Sequence, residues 1–259
     1  MSNMPQTVSV LRTPNLLGIA GVTLSALVYV FFLGAFMYTI AFVADVGVPK
    51  TIDGGLIGAP LRAALINLAL LGQFGLQHSV MARPAFKRWW TKFIPESLER
   101  SVFVLAATVA LVLLLWLWQP LPGQVWSVDN PLLATVLWTL CGVGWAVVLL
   151  STFLLNHFEL FGLQQSLLFA TGQSAGVPSF KTPVLYRYVR HPLYLGFVIA
   201  FWATPHMSVG HLLFAIGCTG YILVGIFFEE RDLITQFGDT YRRYQKRVPM
   251  LLPLRGRAD

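Results

Sequence analysis

Long runs of apolar residues constrain the fold of this chain more than any motif in it. A helix needs about 20 mostly apolar residues to cross the hydrocarbon core of a membrane. Runs of roughly this length lie at residues 16–44, 59–81, 102–118 and 131–155. Only 11% of the 259 residues are charged, whereas soluble domains have about 25%. The sequence therefore predicts an all-α fold, a polytopic integral membrane helical bundle with four spans.

Two shorter apolar runs follow, at residues 192–204 and 212–228, joined by a turn through Pro205, His206 and Gly210. The first run is too short to cross a membrane comfortably alone. We therefore interpret the pair as a tight C-terminal helical hairpin that spans the membrane or nearly does so.

The tail predicts an amphipathic helix that packs on the hairpin or lies at the membrane interface. Apolar residues recur there at helical spacing, with basic residues between them: Leu233, Ile234, Phe237, Tyr241 and Tyr244. The Val248–Pro249 pair is expected to end this helix. No internal repeat or second domain is evident, so we expect residues 1–259 to form a single domain.

The distribution of Lys and Arg predicts the orientation of the bundle. Segments 82–100, 156–191 and 229–259 hold five, three and seven of these residues, whereas 45–58 holds one and 119–130 none. The positive-inside rule places both termini and the three basic segments in the cytoplasm. The 18 basic and 11 acidic residues are thus distributed as in a protein whose partner is the lipid bilayer, and we expect no nucleic-acid partner.

Polar side chains collect at this predicted cytoplasmic end. His78 closes the second span, His157 and Glu159 follow the fourth, YRYVRHPLYLG (186–196) opens the hairpin, and Glu229–Glu230 ends it. Adjacent carboxylates near a negatively charged leaflet are unfavourable without cationic partners. The joint pattern therefore favours a binding site over an interfacial anchor.

Each of these residues also has a simpler interpretation. Tyr188 and Tyr194 suit the aromatic belt of a membrane protein. His191 could merely begin a helix beside Pro192, and the two glutamates could merely pair with Arg231 or Arg190. These alternatives stay open at the level of the sequence.

Several kinds of catalytic or cofactor site are excluded or disfavoured. The chain has no HExxH, Walker, GxGxxG or GxSxG motif, and no βαβ pattern that could carry a nucleotide-binding Rossmann domain. The five histidines are scattered over the chain, so we expect no metal site. Cys141 and Cys218 lie inside apolar runs and are interpreted as small core residues.

Three C-terminal motifs carry a family resemblance: RHPLYLG (190–196), EERDL (229–233) and FGDTYRRYQKRVPMLLP (237–253). Together they resemble the signature of the integral membrane isoprenylcysteine carboxyl methyltransferases and phospholipid methyltransferases. Upstream, QHSVMARPAFKRWW (77–90) and NHFELFGLQQ (156–165) are similar to the bacterial methanethiol S-methyltransferases and the related NnrU-type proteins. That second resemblance extends over nearly the whole chain.

The resemblance implies S-adenosylmethionine as cofactor, held by a C-terminal part of about residues 156–253 at the face of a bacterial inner membrane. Eight residues are expected to bind it by position: Tyr186, Tyr188, Arg190, His191, Tyr194, Glu229, Glu230 and Gln164. A cofactor with a sulfonium, an ammonium and a carboxylate needs aromatic faces, acid and base together.

The resemblance also implies in-line transfer of the sulfonium methyl group to a small thiol, with no obligate protein partner. A small thiol is mostly protonated at neutral pH, so that it needs a base or a cation. His157, His78 and Glu159 are the catalytic candidates, and His157 is slightly preferred. Alternatives are a lipid or prenylcysteine methyltransferase, a non-enzymatic NnrU-like accessory protein, and an NADPH-dependent reductase of the sterol type, which the acidic pair disfavours.

Overall fold

The structure, a computed structural model, describes residues 16–173 and 180–252. In these ranges the chain forms the following helices: α1 (Leu16–Val43), α2 (Pro60–Ala82), α3 (Pro84–Trp90), α4 (Glu96–Leu117), α5 (Pro131–Leu155), α6 (His157–Leu160), α7 (Leu163–Ala170), α8 (Pro192–Trp202), α9 (Val209–Phe237) and α10 (Asp239–Arg247). A 3₁₀ helix covers Val184–Arg187, and two strands cover Gln124–Ser127 (β1) and His206–Ser208 (β2).

The predicted all-α membrane bundle is confirmed. Within the described residues, the four helices α1, α4, α5 and α9 are long and apolar enough to cross a membrane. Helix α2 has a suitable length of 23 residues, but polar side chains such as Arg62, Asn67 and Gln73 lower its hydropathy. Its role as a span remains a prediction.

Two helix boundaries differ from the predicted ones for electrostatic reasons. Helix α4 begins at Glu96 rather than at residue 102, and Glu96 and Glu99 lie in its first turn, where the helix dipole favours acidic side chains. Helix α9 does not end at residue 228 but continues through the acidic pair to Phe237. The Arg190 guanidinium, two residues before α8, forms an ion pair with Glu230, and Gln245 of α10 donates to the same carboxylate, so the helix tolerates the acidic pair.

The predicted amphipathic tail helix is present as α10, but it is shorter than predicted because a helix break precedes it. Gly238 adopts φ 56°, a left-handed value that glycine favours, and it separates the end of α9 from α10. Helix α10 ends at Arg247, before Val248 and Pro249, as predicted. Residues 253–259, with the last two arginines of the basic tail, lie outside the described residues.

A small two-stranded sheet between β1 and β2 was not predicted. The strands pair antiparallel, and the Trp126 Nε1 donates to the Thr204 carbonyl at 3.0 Å. With four and three residues, the strands are too short to show the two-residue periodicity by which strands are recognised in a sequence. The sheet ties the turn of the predicted hairpin to the loop between α4 and α5.

The tightest helix contact joins α5 to α8. A Cβ built on Gly144 would lie 2.8 Å from the Gly196 carbonyl oxygen, and one built on Gly196 would lie 2.7 Å from the Gly144 carbonyl oxygen. The two backbones therefore touch directly, and Trp145 packs on Phe197 and Phe201 beside them. This contact fixes the position of α8, which carries the RHP motif at its start.

We expect Gly196→Ala to lower the free energy of unfolding by about 1–3 kcal/mol, because the added methyl overpacks the contact between two backbones. The matched control is Gly142→Ala on the same helix pair, where a Cβ would meet nothing within 4 Å. Thermal unfolding in detergent measures both. Equal melting temperatures for the two variants would contradict the contact.

Candidate active site

The carboxylate of Glu230 on α9 is the centre of a hydrogen-bonded cluster at one end of the bundle. Its Oε1 accepts from the Nε of Arg190 at 2.7 Å and the Nε2 of His191 at 3.0 Å. Its Oε2 accepts from the Nε2 of Gln245 at 2.8 Å, and the Tyr241 hydroxyl lies 3.4 Å from Oε1. We call these five residues the Glu230 cluster; together they occupy the carboxylate fully.

The RHP motif builds this cluster because each of its residues has a separate structural role. Pro192 is the first residue of α8, where its missing N–H is not needed. The Nη1 of Arg190 and the backbone N–H groups of Arg190 and His191 donate at 2.7–3.2 Å to four carbonyls of the C-terminal segment: Gln245, Val248, Pro249 and Met250. The motif thereby fastens α10 and the following residues onto the start of α8.

The adjacent residue, Glu229, differs from Glu230 in exposure and in hydrogen bonding. Its side chain is 44% exposed, against 15% for Glu230. Its Oε2 accepts from the Tyr194 hydroxyl at 2.9 Å, and its Oε1 has no hydrogen-bond partner among the described residues. Of the two predicted acidic residues, Glu229 is therefore the one with capacity for a ligand.

The buried phenol of Tyr186 lies beside Glu229. Burial, followed by the negative charge of Glu229, raises the pKa of Tyr186 above its usual range, so that this phenol stays neutral. The Tyr186 carbonyl also accepts from the hydroxyl of Tyr244 on α10, at 2.5 Å. Glu229, Tyr186 and Tyr194, hereafter the Glu229 group, thus combine one available carboxylate with two aromatic rings.

Three other predicted residues lie apart from these groups. Tyr188 is 68% exposed. Glu159 and Gln164 both accept from the Nδ2 of Asn156, at 2.6 and 2.7 Å. No hydrogen bond or ion pair in the described part of the chain joins these three to the Glu229 group, and their predicted roles stay predictions.

His157, the preferred base, has both ring nitrogens engaged. The hydroxyl of Thr152 donates to the Leu149 carbonyl at 2.7 Å, so it accepts from the Nδ1 of His157 at 2.8 Å. The Nε2 lone pair then accepts from the Tyr29 hydroxyl at 2.6 Å. Burial lowers the pKa of His157, so the ring is neutral at neutral pH. It ties α1 to the end of α5.

His78 is the opposite case. Its Nδ1 is buried and has no hydrogen-bond partner among the described residues. The ring is enclosed by three aromatic side chains, with centroid distances of 4.9 Å to Phe103, 5.6 Å to Phe74 and 6.2 Å to Tyr221. Because a base needs an available lone pair, the geometry favours His78 over His157.

One face of α9, between His78 and the Glu229 group, was not predicted from the sequence. Tyr221, Gly225 and Glu229 are four residues apart and therefore lie on one side of the helix. A Cβ on Gly225 would meet nothing within 4 Å, whereas Tyr221 lies against Gly75 of α2. Their spacing of four residues from Glu229 could have indicated that Tyr221 and Gly225 share its side of the helix. They were not singled out, because tyrosine and glycine in an apolar run are typical of a core.

The sequence model of the NnrU protein family matches residues 65–252. That range contains α3 to α10, most of α2, both groups and His78. The chain belongs to the NnrU family.

Several named proteins align with most of the chain. The chain is similar to "Methanethiol S-methyltransferase" of Mycobacterium tuberculosis, with 57% identity over 87% of this chain and 92% of the relative. It is 53% identical to "Methanethiol S-methyltransferase 1" of Bradyrhizobium diazoefficiens, over 88% and 80% of the two chains. It is also 29% identical to "Nurim" of Xenopus laevis, over 73% and 69%. No solved structure matches the chain.

We expect Glu230→Gln to lower the free energy of unfolding by about 3 kcal/mol, because it leaves the buried Arg190 guanidinium without its counter-ion. Glu229→Gln is the matched control on the adjacent residue, and it should unfold like the wild type. Chemical or thermal unfolding in detergent measures the difference. Similar stabilities for the two variants would show that Glu230 does not hold the C-terminal helix.

Proposed function

We propose that this chain is a methanethiol S-methyltransferase that takes its methyl group from S-adenosylmethionine. The identity of the methyl acceptor rests on relatives of 50–57% identity that cover most of both chains and bear that name. The observation that carries the proposal in the structure is the Glu229 group, an available carboxylate between two neutral phenols at the open end of the bundle.

The residues of this group fit the cofactor. A half-exposed carboxylate with a free oxygen suits an ammonium group, and the faces of Tyr186 and Tyr194 suit a sulfonium. When bound, the cofactor would supply an activated methyl group for the thiol sulfur. The electron pair of the broken S–CH₃ bond would stay on the donor sulfur, so that the products would be dimethyl sulfide and S-adenosylhomocysteine. The Glu230 cluster positions the adjacent Glu229 group, whereas both oxygens of Glu230 already accept hydrogen bonds from the protein.

His78 then acts as the base. The proton leaves the thiol S–H for the Nδ1 of His78, which has no other partner among the described residues. The ring cage of Phe74, Phe103 and Tyr221 excludes water, and an apolar surrounding favours a reaction in which a thiolate and a sulfonium neutralise each other. On α9, Gly225 lies one turn from Glu229 and one turn from Tyr221, whose ring contacts His78 of α2.

The proposal includes the location of the site. The basic segments support a Glu229 group at the cytoplasmic face of a bacterial inner membrane and both termini in the cytoplasm. In this proposal residues 1–259 act as one domain. The cofactor is made in the cytoplasm, so this orientation would supply it directly.

The decisive experiment incubates detergent-purified protein with S-adenosylmethionine and methanethiol and measures dimethyl sulfide in the headspace. We expect product from the wild type. Glu229→Gln should weaken cofactor binding, measured by calorimetry, by about 10- to 100-fold, the loss of one charge-assisted hydrogen bond. Glu96→Gln, at an exposed position of α4, is the control. No product and no cofactor binding would instead favour an accessory protein.

The choice of base has its own test. We expect His78→Ala to lower kcat/KM at neutral pH by about 10²- to 10⁴-fold, and the loss should shrink at high pH, where the thiol ionises without help. His157→Gln should reduce thermal stability but keep the turnover of the folded protein. If both variants kept near-normal turnover at neutral pH, the reaction would need no histidine base.

A further inference from the structure

Arg100, in the first turns of α4, is a cation without an anionic partner among residues 16–173 and 180–252. Its guanidinium is mostly buried. Its Nε donates to the carbonyl of Leu160 at 2.7 Å, and its Cζ lies 5.1 Å from the ring centroid of Phe103. Among the described residues, no carboxylate oxygen lies within the 4.0 Å of an ion pair with Arg100.

Arg190, another arginine of the same molecule, differs from Arg100 in having an ion-pair partner. Arg190 is similarly buried, and its guanidinium donates to Glu230 and to two backbone carbonyls. A guanidinium has five N–H donors, of which Arg100 uses one in the described part of the chain. Buried charges are normally paired, because desolvation without a partner is costly. The free donors of Arg100 therefore indicate an anionic ligand.

The position of Arg100 relates it to His78. Both contact the ring of Phe103, His78 at a centroid distance of 4.9 Å, so an obligatory cation and a free imidazole flank one aromatic side chain. The other charged groups that act on Arg100 are Glu99 on its own helix and Glu159 on α6. Both are too distant to form ion pairs with it.

We propose that Arg100 binds the substrate sulfur as a thiolate, beside the base His78. This inference rests on the proposed function and names a residue outside the five sequence motifs quoted above. An arginine remains charged at every relevant pH, and its N–H groups stabilise the anion that forms when the thiol proton moves to His78. The cofactor's carboxylate is a less suitable occupant, because no contact among the described residues joins Arg100 to the Glu229 group.

The test compares Arg100→Gln with Arg88→Gln, a change at an exposed arginine of α3. We expect Arg100→Gln to raise the KM for methanethiol at neutral pH by about 10- to 100-fold, the loss of a charge-assisted bond. Calorimetry should show unchanged S-adenosylmethionine affinity. The deficit should shrink as the pH rises and the thiol ionises in solution. Arg100→Lys should retain most of the activity, and Arg88→Gln all of it.

Three results would overturn the inference. The first is an Arg100→Gln enzyme with the wild-type KM and pH profile. The second is a variant that loses cofactor affinity but keeps its thiol KM, which would assign Arg100 to the cofactor. The third is a wild-type protein that makes no dimethyl sulfide, which would overturn the proposed function as well. The first two results require an active wild type, so the third is distinguishable from them.

A measurement on the wild type alone covers the case in which Arg100→Gln does not fold. Thiocyanate is a small soft anion without a transferable proton. We expect it to inhibit competitively against methanethiol and not against S-adenosylmethionine. Inhibition that competes with the cofactor instead, or none, would overturn the thiolate site.

Discussion

The buried carboxylate of Glu230 is the interaction on which the rest of this end of the protein depends. From α9, Glu230 accepts from Arg190 and His191 at the start of α8 and from Gln245 of α10. It thereby joins the three helices. Successive residues of a helix point about 100° apart. With Glu230 turned towards α10, Glu229 is directed to Tyr194 and the open end. The structural role of Glu230 thus leaves Glu229 available for the proposed cofactor.

The same division between occupied and available groups distinguishes the two candidate bases. His157 donates to Thr152 and accepts from Tyr29, so that it holds helices together and has no lone pair for a substrate. His78 sits in an aromatic cage with its Nδ1 unused among the described residues. Buried polar groups are nearly always satisfied in folded proteins. An unsatisfied one beside an unpaired cation is therefore better explained by a ligand than by packing.

The sequence was sufficient for the large elements and for the composition of the C-terminal groups. Apolar runs located the bundle helices, and the bounds of α5 agree with the predicted 131–155. The short strands and the break at Gly238 were missed, since neither alters hydrophobic periodicity. The RHP and EE motifs brought together residues that do lie together. Which oxygen or nitrogen is already occupied depends on partners such as Tyr29 and Gln245, which lie up to 128 residues away in sequence and could not be predicted locally.

The packing of α2 against α9 bears on the size of the proposed substrate. The residues proposed for the thiol lie on α2 and α4, and those proposed for the cofactor lie on the 3₁₀ helix, α8 and α9. Tyr221, Gly225 and Glu229 share one side of α9 between these two sets. Tyr221 lies so close to Gly75 that a Cβ there would approach its ring to 3.0 Å, so α2 and α9 are in contact one turn from His78. One turn further along α9, a Cβ on Gly225 would meet nothing within 4 Å. Under the proposed function this position has room for a one-carbon thiol, whereas a long lipid chain would have to separate α2 and α9 where Tyr221 contacts Gly75.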